Sequence, residues 1–123
     1  MGWETILLVE DEEMVRDLAR TILEENGYTV LIASNGEEAL GIVDRNAGPI
    51  HLLLTDVVMP RMGGVDLARS IALRKKELKV LYMTGYADIE VFHDGGIDLD
   101  CRILRKPFRV DVLLRKVGEV LHG

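Results

Sequence analysis

Three carboxylates, one hydroxyl and one amine stand at comparable places in this chain, each at or just past the end of a short apolar run. Glu10 and Asp11 follow Ile6-Leu7-Leu8-Val9, and Asp56 follows Leu52-Leu53-Leu54-Thr55. Thr84 follows Val80-Leu81-Tyr82-Met83, and Lys106 comes shortly after Cys101 to Leu104. Acidic groups crowded together repel and raise one another's pKa unless a cation sits among them. A hard divalent ion such as Mg²⁺, held by carboxylates, a carbonyl oxygen and water, removes that conflict. With such an ion and the Lys106 ammonium beside it, Asp56 stays ionised and can act as a nucleophile toward phosphorus. Ion and ammonium would neutralise charge developing on the equatorial phosphoryl oxygens, and the Thr84 hydroxyl would donate a further hydrogen bond. Taken singly, each residue has an ordinary explanation: Asp56 as a helix N-cap or turn aspartate, Thr84 as a strand end, Lys106 as a solvated lysine. Their shared placement argues for a site.

That placement requires parallel strands. Three consecutive leucines, too few for a buried helix, read as a strand covered on both faces. The run ends in Asp56 and then Pro60, which cannot continue a ladder. In open α/β sheets ligands lie at the rim beyond the carboxyl ends of the strands, which is where all five groups would converge. In order, Thr5 to Val9 is a strand, and a helix follows with Met14, Val15, Leu18, Ala19, Ile22 and Leu23 on one stripe. It stops at Asn26-Gly27. Tyr28 to Ile32 is the second strand, and Ser34-Asn35-Gly36-Glu37 offers a capping box for a helix turning Ala39, Leu40, Ile42 and Val43 inward. His51 to Thr55 is the third strand, Val65 to Arg74 a helix burying Leu67, Ala68 and Ile71, and Val80 to Met83 the fourth strand. Between Tyr86 and Asp100 the period is poor: Asp88 could cap a short helix through Phe92, and Gly95-Gly96 would break it. Cys101 to Leu104 is the fifth strand, and Val110, Leu113, Leu114, Val117 and Leu121 mark the last helix. Strands alternating with helices predict a doubly wound α/β domain with right-handed crossovers.

Composition bounds the function. A chain of 123 residues has room for one domain with a proper core, expected over residues 4–122. With 48% hydrophobic and 29% charged residues the balance is that of a globular protein. The net charge of −6 argues against direct nucleic-acid binding or contact with an anionic membrane. The single Cys101 excludes an internal disulfide and fits a reducing compartment. No apolar run approaches a membrane span and the N-terminus lacks the layout of a signal peptide, so a cytoplasmic location is expected.

The motifs together resemble the receiver domains of response regulators, the phosphoacceptor modules of two-component signalling. The resemblance rests on Val9-Glu10-Asp11-Glu12, on Thr55-Asp56-Val57-Val58-Met59-Pro60 with Gly63-Gly64, on Met83-Thr84-Gly85 and on Arg105-Lys106-Pro107-Phe108. It covers essentially the whole chain. It implies a flavodoxin-like three-layer sandwich whose five-stranded parallel sheet runs 2-1-3-4-5. It further implies that Asp56 accepts phosphate from a phosphohistidine. Asp11, Asp56 and the Val58 backbone carbonyl would bind Mg²⁺, for which Mn²⁺ can substitute, with Glu10 helping through water. Thr84 and Lys106 would contact the phosphoryl group, and the Lys106–Pro107 bond would be cis. The partner would be a histidine kinase or histidine phosphotransfer domain, and the module itself a monomer or weak homodimer.

Two positions depart from the common pattern of that family. Glu10 stands where many members have Asp, which lengthens the reach by one methylene. Ile103 stands where many carry a Tyr or Phe that swings inward with the threonine, so an aromatic switch is not expected. Val58 and Tyr86, two residues beyond Asp56 and Thr84, would flank the path of an attacking water and modulate the lifetime of a phosphoaspartate. The Met83-Thr84-Gly85-Tyr86 turn resembles receivers joined to hybrid sensor histidine kinases. An origin as a module of such a kinase is therefore expected, with a stand-alone single-domain regulator as the alternative. Two other classes fit the residues less well. A metal-dependent phosphohydrolase of the haloacid-dehalogenase type would need a second Asp two residues beyond the first, where Val58 stands. A degenerate receiver kept for protein binding would not need the intact set of Asp11, Asp56, Thr84 and Lys106.

Overall fold

Leu52, Leu53 and Leu54 are fully buried, and the strand they build is the middle of the sheet. The computed structural model describes residues 2–75, 77–85 and 103–122. In it β3 (Leu52–Asp56) lies between β1 (Thr5–Val9) and β4 (Lys79–Thr84), with β2 (Thr29–Ala33) and β5 (Ile103–Arg105) at the edges. Every pairing is parallel and the order is β2-β1-β3-β4-β5, as the resemblance implied. Among the described residues there are four helices: α1 (Glu13–Glu25), α2 (Gly36–Arg45) and α3 (Gly64–Ala72), each between consecutive strands, and α4 (Val110–His122), which follows β5.

Side chains of period two divide the core into two layers. Leu7, Val9, Leu53, Val80, Tyr82 and Ile103 pack with Ala39 and Val43 of α2 and Leu67 and Ile71 of α3. Ile6, Leu8, Leu52, Leu54, Leu81 and Leu104 pack with Ala19 and Leu23 of α1 and Leu113 and Val117 of α4. Covering on both faces is why β3 is a run of leucines rather than an alternation.

The first strand matches the sequence expectation at both ends, and the other element ends among the described residues agree with it to within two residues. The stripe on α1 differs more. Ala19, Ile22 and Leu23 are buried, but Met14 is 86% and Leu18 52% exposed. At 100° per residue these two fall about 90° or more around the helix from the line through the buried three. The α2 cap is shifted by one. Asn35, not Ser34, is the N-cap: its side chain accepts the Glu38 amide at 2.8 Å, and the Glu38 carboxylate accepts the Ser34 amide at 3.3 Å. At the far end of α1, Gly27 takes φ 96°, the left-handed conformation that lets the chain turn into β2. On α4, Val110 is 52% exposed while Leu113, Val117 and Leu121 are buried. The expected helix from Asp88 to Phe92, its break at Gly95-Gly96, and Cys101 lie outside the described residues.

At the amino ends of the strands the first and last elements are joined. Glu4, only 4% exposed, accepts the Trp3 amide at 3.1 Å and meets His122 Nε2. The Trp3 indole stands edge-on to the His51 ring at 5.1 Å, and His51 Nδ1 accepts the Thr5 amide at 2.9 Å. Among the described residues no helix is long and apolar enough to cross a membrane.

Candidate functional site

Strand register carries the five chemical groups to one rim. Val9 pairs with Thr55, Asp56 with Met83 and Thr84 with Arg105, so the residues just beyond these pairs emerge in adjacent rows. The Val57 amide continues the ladder to the Met83 carbonyl at 3.0 Å, and the Lys106 amide does the same to the Thr84 carbonyl at 2.9 Å. Helix α3 begins against the same rim, its Gly64 amide donating to the Val57 carbonyl at 2.9 Å. A Cβ on Gly64 would stand 2.3 Å from the Asp56 carbonyl oxygen, so this approach requires glycine. The backbone of Asp56 is thus held by strand, helix and the Thr55 hydroxyl, which donates to its carbonyl at 3.0 Å.

The side chains converge on Lys106. Its Nζ donates to Asp56 Oδ2 at 2.9 Å and to Glu10 Oε2 at 3.1 Å. The other oxygens of the two acids take backbone donors: Asp56 Oδ1 the Val58 amide at 3.3 Å, Glu10 Oε1 the Glu12 amide at 3.1 Å. Glu10 is fully buried, Asp56 5% exposed and Asp11 exposed, and one carboxylate oxygen from each lies within 4.8 Å of the others. Burial pushes the Glu10 carboxyl up to about 7; Asp11 and Asp56 push the same way, and the Glu12 amide and Lys106 offset this only in part. Burial opposes the Lys106 ammonium, but its bonds to Asp56 and Glu10 outweigh that and raise its pKa above the ordinary lysine value. One ammonium among three carboxylates leaves an excess of negative charge on hard oxygen donors. That donor set fits a divalent cation of the Mg²⁺ type.

Thr84 is fully buried and its hydroxyl donates to the Gly85 carbonyl at 3.0 Å. The Lys106–Pro107 bond is cis. Val58 is half exposed beside Asp56. Ile103, 7% exposed, is packed in the α2–α3 layer opposite Tyr82. Tyr86 lies outside the described residues. Sequence reasoning missed Arg16, whose Nη1 donates to the Glu10 carbonyl at 3.2 Å and to Ser34 Oγ at 3.0 Å. An arginine early in an amphipathic helix carries no signal that separates it from an ordinary solvated charge.

The family model of the response regulator receiver domain matches residues 6–118. The chain belongs to that family. Sensor kinase CckA of Brucella abortus (strain 2308) is 37% identical over 121 residues, which are 98% of this chain and 13% of that protein. The response regulator receiver protein CpdR of the same organism is 35% identical over 116 residues, 94% of this chain and 95% of that protein. The receiver domain spans a small part of the kinase and nearly the whole of CpdR. Among solved structures, the receiver domain from the hybrid histidine kinase CckA superposes with a TM-score of 0.78 at 35% identity, covering 96% of this chain and 99% of that one. A response regulator receiver domain protein from Clostridium thermocellum gives a TM-score of 0.83 at 28% identity, covering 96% and 94%. Membership of the receiver family sets aside the phosphohydrolase alternative.

Proposed function

We propose that this receiver domain accepts a phosphoryl group on Asp56 from a phosphohistidine of a histidine kinase or histidine phosphotransfer domain. The observation that carries the reading is the Asp56 carboxylate at the end of the central strand, 2.9 Å from the Lys106 ammonium and within 4.8 Å of two further acids. A carboxylate oxygen of Asp56 forms a bond to phosphorus as the phosphorus–nitrogen bond breaks, and the electron pair of that bond goes to the imidazole nitrogen. Asp11, Asp56 and the Val58 carbonyl would hold Mg²⁺ or Mn²⁺, with Glu10 acting through water. When bound, the ion supplies positive charge opposite the phosphoryl oxygens. Lys106 pairs with the Asp56 carboxylate before transfer and follows an equatorial oxygen after it. Thr84 then exchanges its bond to the Gly85 carbonyl for one to the phosphoryl group.

The similarity to the CckA receiver supports a module of a hybrid sensor histidine kinase. The match to nearly all of CpdR favours the second reading, a single-domain regulator. In either setting the domain works in the cytoplasm, with a protein partner and without nucleic acid, as a monomer or weak homodimer. Acetyl phosphate with Mg²⁺ tests the chemistry. Intact mass should show one added phosphoryl group on the wild type and none on Asp56→Asn. Equal labelling of the two would refute the role of Asp56. Millimolar Mg²⁺ should also raise the melting temperature through binding to the native state, and Asp11→Asn should lose that response.

A further inference from the structure

Glu10 is the longest of the three acids and the most buried, so the position of its carboxylate depends on how its backbone is fixed at the end of β1. One tie is the ladder bond from the Glu10 amide to the Ala33 carbonyl at 3.1 Å. Arg16 closes a second. From α1 its Nη1 reaches the Glu10 carbonyl at 3.2 Å and the hydroxyl of Ser34, the residue after Ala33, at 3.0 Å. A single nitrogen therefore ties the segment after β1 to the segment after β2. We propose that Arg16 is a positioning residue of the acidic site, fixing the Glu10 backbone against Ser34 and thereby setting where the Glu10 carboxylate meets the cation and Lys106.

Two observations favour this over a solvated charge. Arg16 is half-buried, and its Nε is buried with no hydrogen-bond partner among the described residues. An arginine kept only for surface charge would leave that donor to water, since a buried unpaired N–H opposes folding. Arg20, one turn along the same helix, shows the contrast: it makes an exposed pair with Glu24 at 3.3 Å. Residues that orient ligands without touching a metal are known to change its affinity by about 10–100-fold.

The inference rests on the Mg²⁺ site proposed above, and the experiment separates the two. Mg²⁺ affinity is measured by calorimetry on wild type, Arg16→Ala, Arg16→Lys, Ser34→Ala and Arg20→Ala. Amide hydrogen exchange at Glu12, whose N–H is held by the Glu10 carboxylate, is followed without metal. Arg16→Ala should weaken Mg²⁺ binding about 10-fold and speed Glu12 exchange, Arg16→Lys should recover part of both, and Ser34→Ala should give a smaller loss in the same direction. Arg20→Ala should match wild type. A wild type that binds no Mg²⁺ would overturn the proposed metal site itself. A wild type that binds, with Arg16→Ala binding equally well and Glu12 exchange unmoved, would overturn only the role of Arg16. Should Arg16→Ala not fold, Ser34→Ala decides: wild-type affinity and wild-type Glu12 exchange in that variant would overturn the proposal.

Discussion

Lys106 Nζ lies 2.9 Å from Asp56 Oδ2 although β4 separates the strands that carry the two residues. The lysine reaches over the end of an intervening strand and goes on to Glu10 at the end of β1. One flexible side chain is thus the common partner of two buried carboxylates.

Removing that partner should be costly, and the cost should depend on pH. Lys106→Ala leaves Glu10 and Asp56 buried without their cation, a change worth about 3 kcal/mol when both acids are charged. Below pH 6 Glu10 takes up a proton and the cost should shrink. Urea denaturation without metal at pH 5.5 and pH 8 would show it; equal losses at the two values would contradict the clamp.

Glu10 alone should leave a signature in stability. Its carboxyl titrates near 4.5 in the unfolded chain and at about 7 in the fold. Between those values the native state holds more protons than the unfolded one, so stability falls as pH rises through the window and levels off above it. Relative to Glu10→Gln, the metal-free wild type should lose on the order of 2 kcal/mol between pH 5 and pH 8. Parallel curves for the two proteins would show that Glu10 is not held protonated.

Two glycines should respond in opposite ways to the same substitution. Gly64→Ala drives a methyl group into the Asp56 carbonyl and should destabilise by about 1–3 kcal/mol while slowing phosphorylation. Gly118, within α4, has nothing within 4 Å of the added carbon, so Gly118→Ala should stabilise by up to about 1 kcal/mol. Denaturation curves decide both.

The half-exposed Val58 side chain would bear on how long the proposed phosphoaspartate survives. Valine offers no base to an incoming water and can exclude it from the line of attack. Val58→Asn combined with Tyr86→Glu should speed loss of phosphate by about 10-fold, a barrier change of about 1.4 kcal/mol. A lifetime unchanged in the double variant would assign control to other groups.

The acids, threonine and lysine were legible because parallel strands carry residues at their ends to one rim, whatever the details of packing. The burial of β3 was legible for the same reason, in an uninterrupted Leu52-Leu53-Leu54. Periodicity was less informative on α1. It assigns Met14 and Leu18 to the same stripe as Ile22, and only the line of contact with the sheet shows that they miss it. Ser34 and Asn35 are both good caps with a glutamate three residues on, so either register satisfied the pattern; the extended backbone of Asn35 decides. Arg16 was invisible because its acceptors are a backbone carbonyl and a hydroxyl from another loop.

The contact between Trp3 and His51 has a spectroscopic consequence. Trp3 is the only tryptophan, and it sits at the amino ends of strands whose carboxyl ends carry the acids. The length of β1 separates the indole from Glu10, on the order of 20 Å. Emission from this ring should follow the packing of His51 against it and the docking of His122 on Glu4, and should be silent to a cation that merely occupies the opposite rim. A fluorescence change on adding Mg²⁺ would therefore measure a movement transmitted along the strands rather than occupancy of the site.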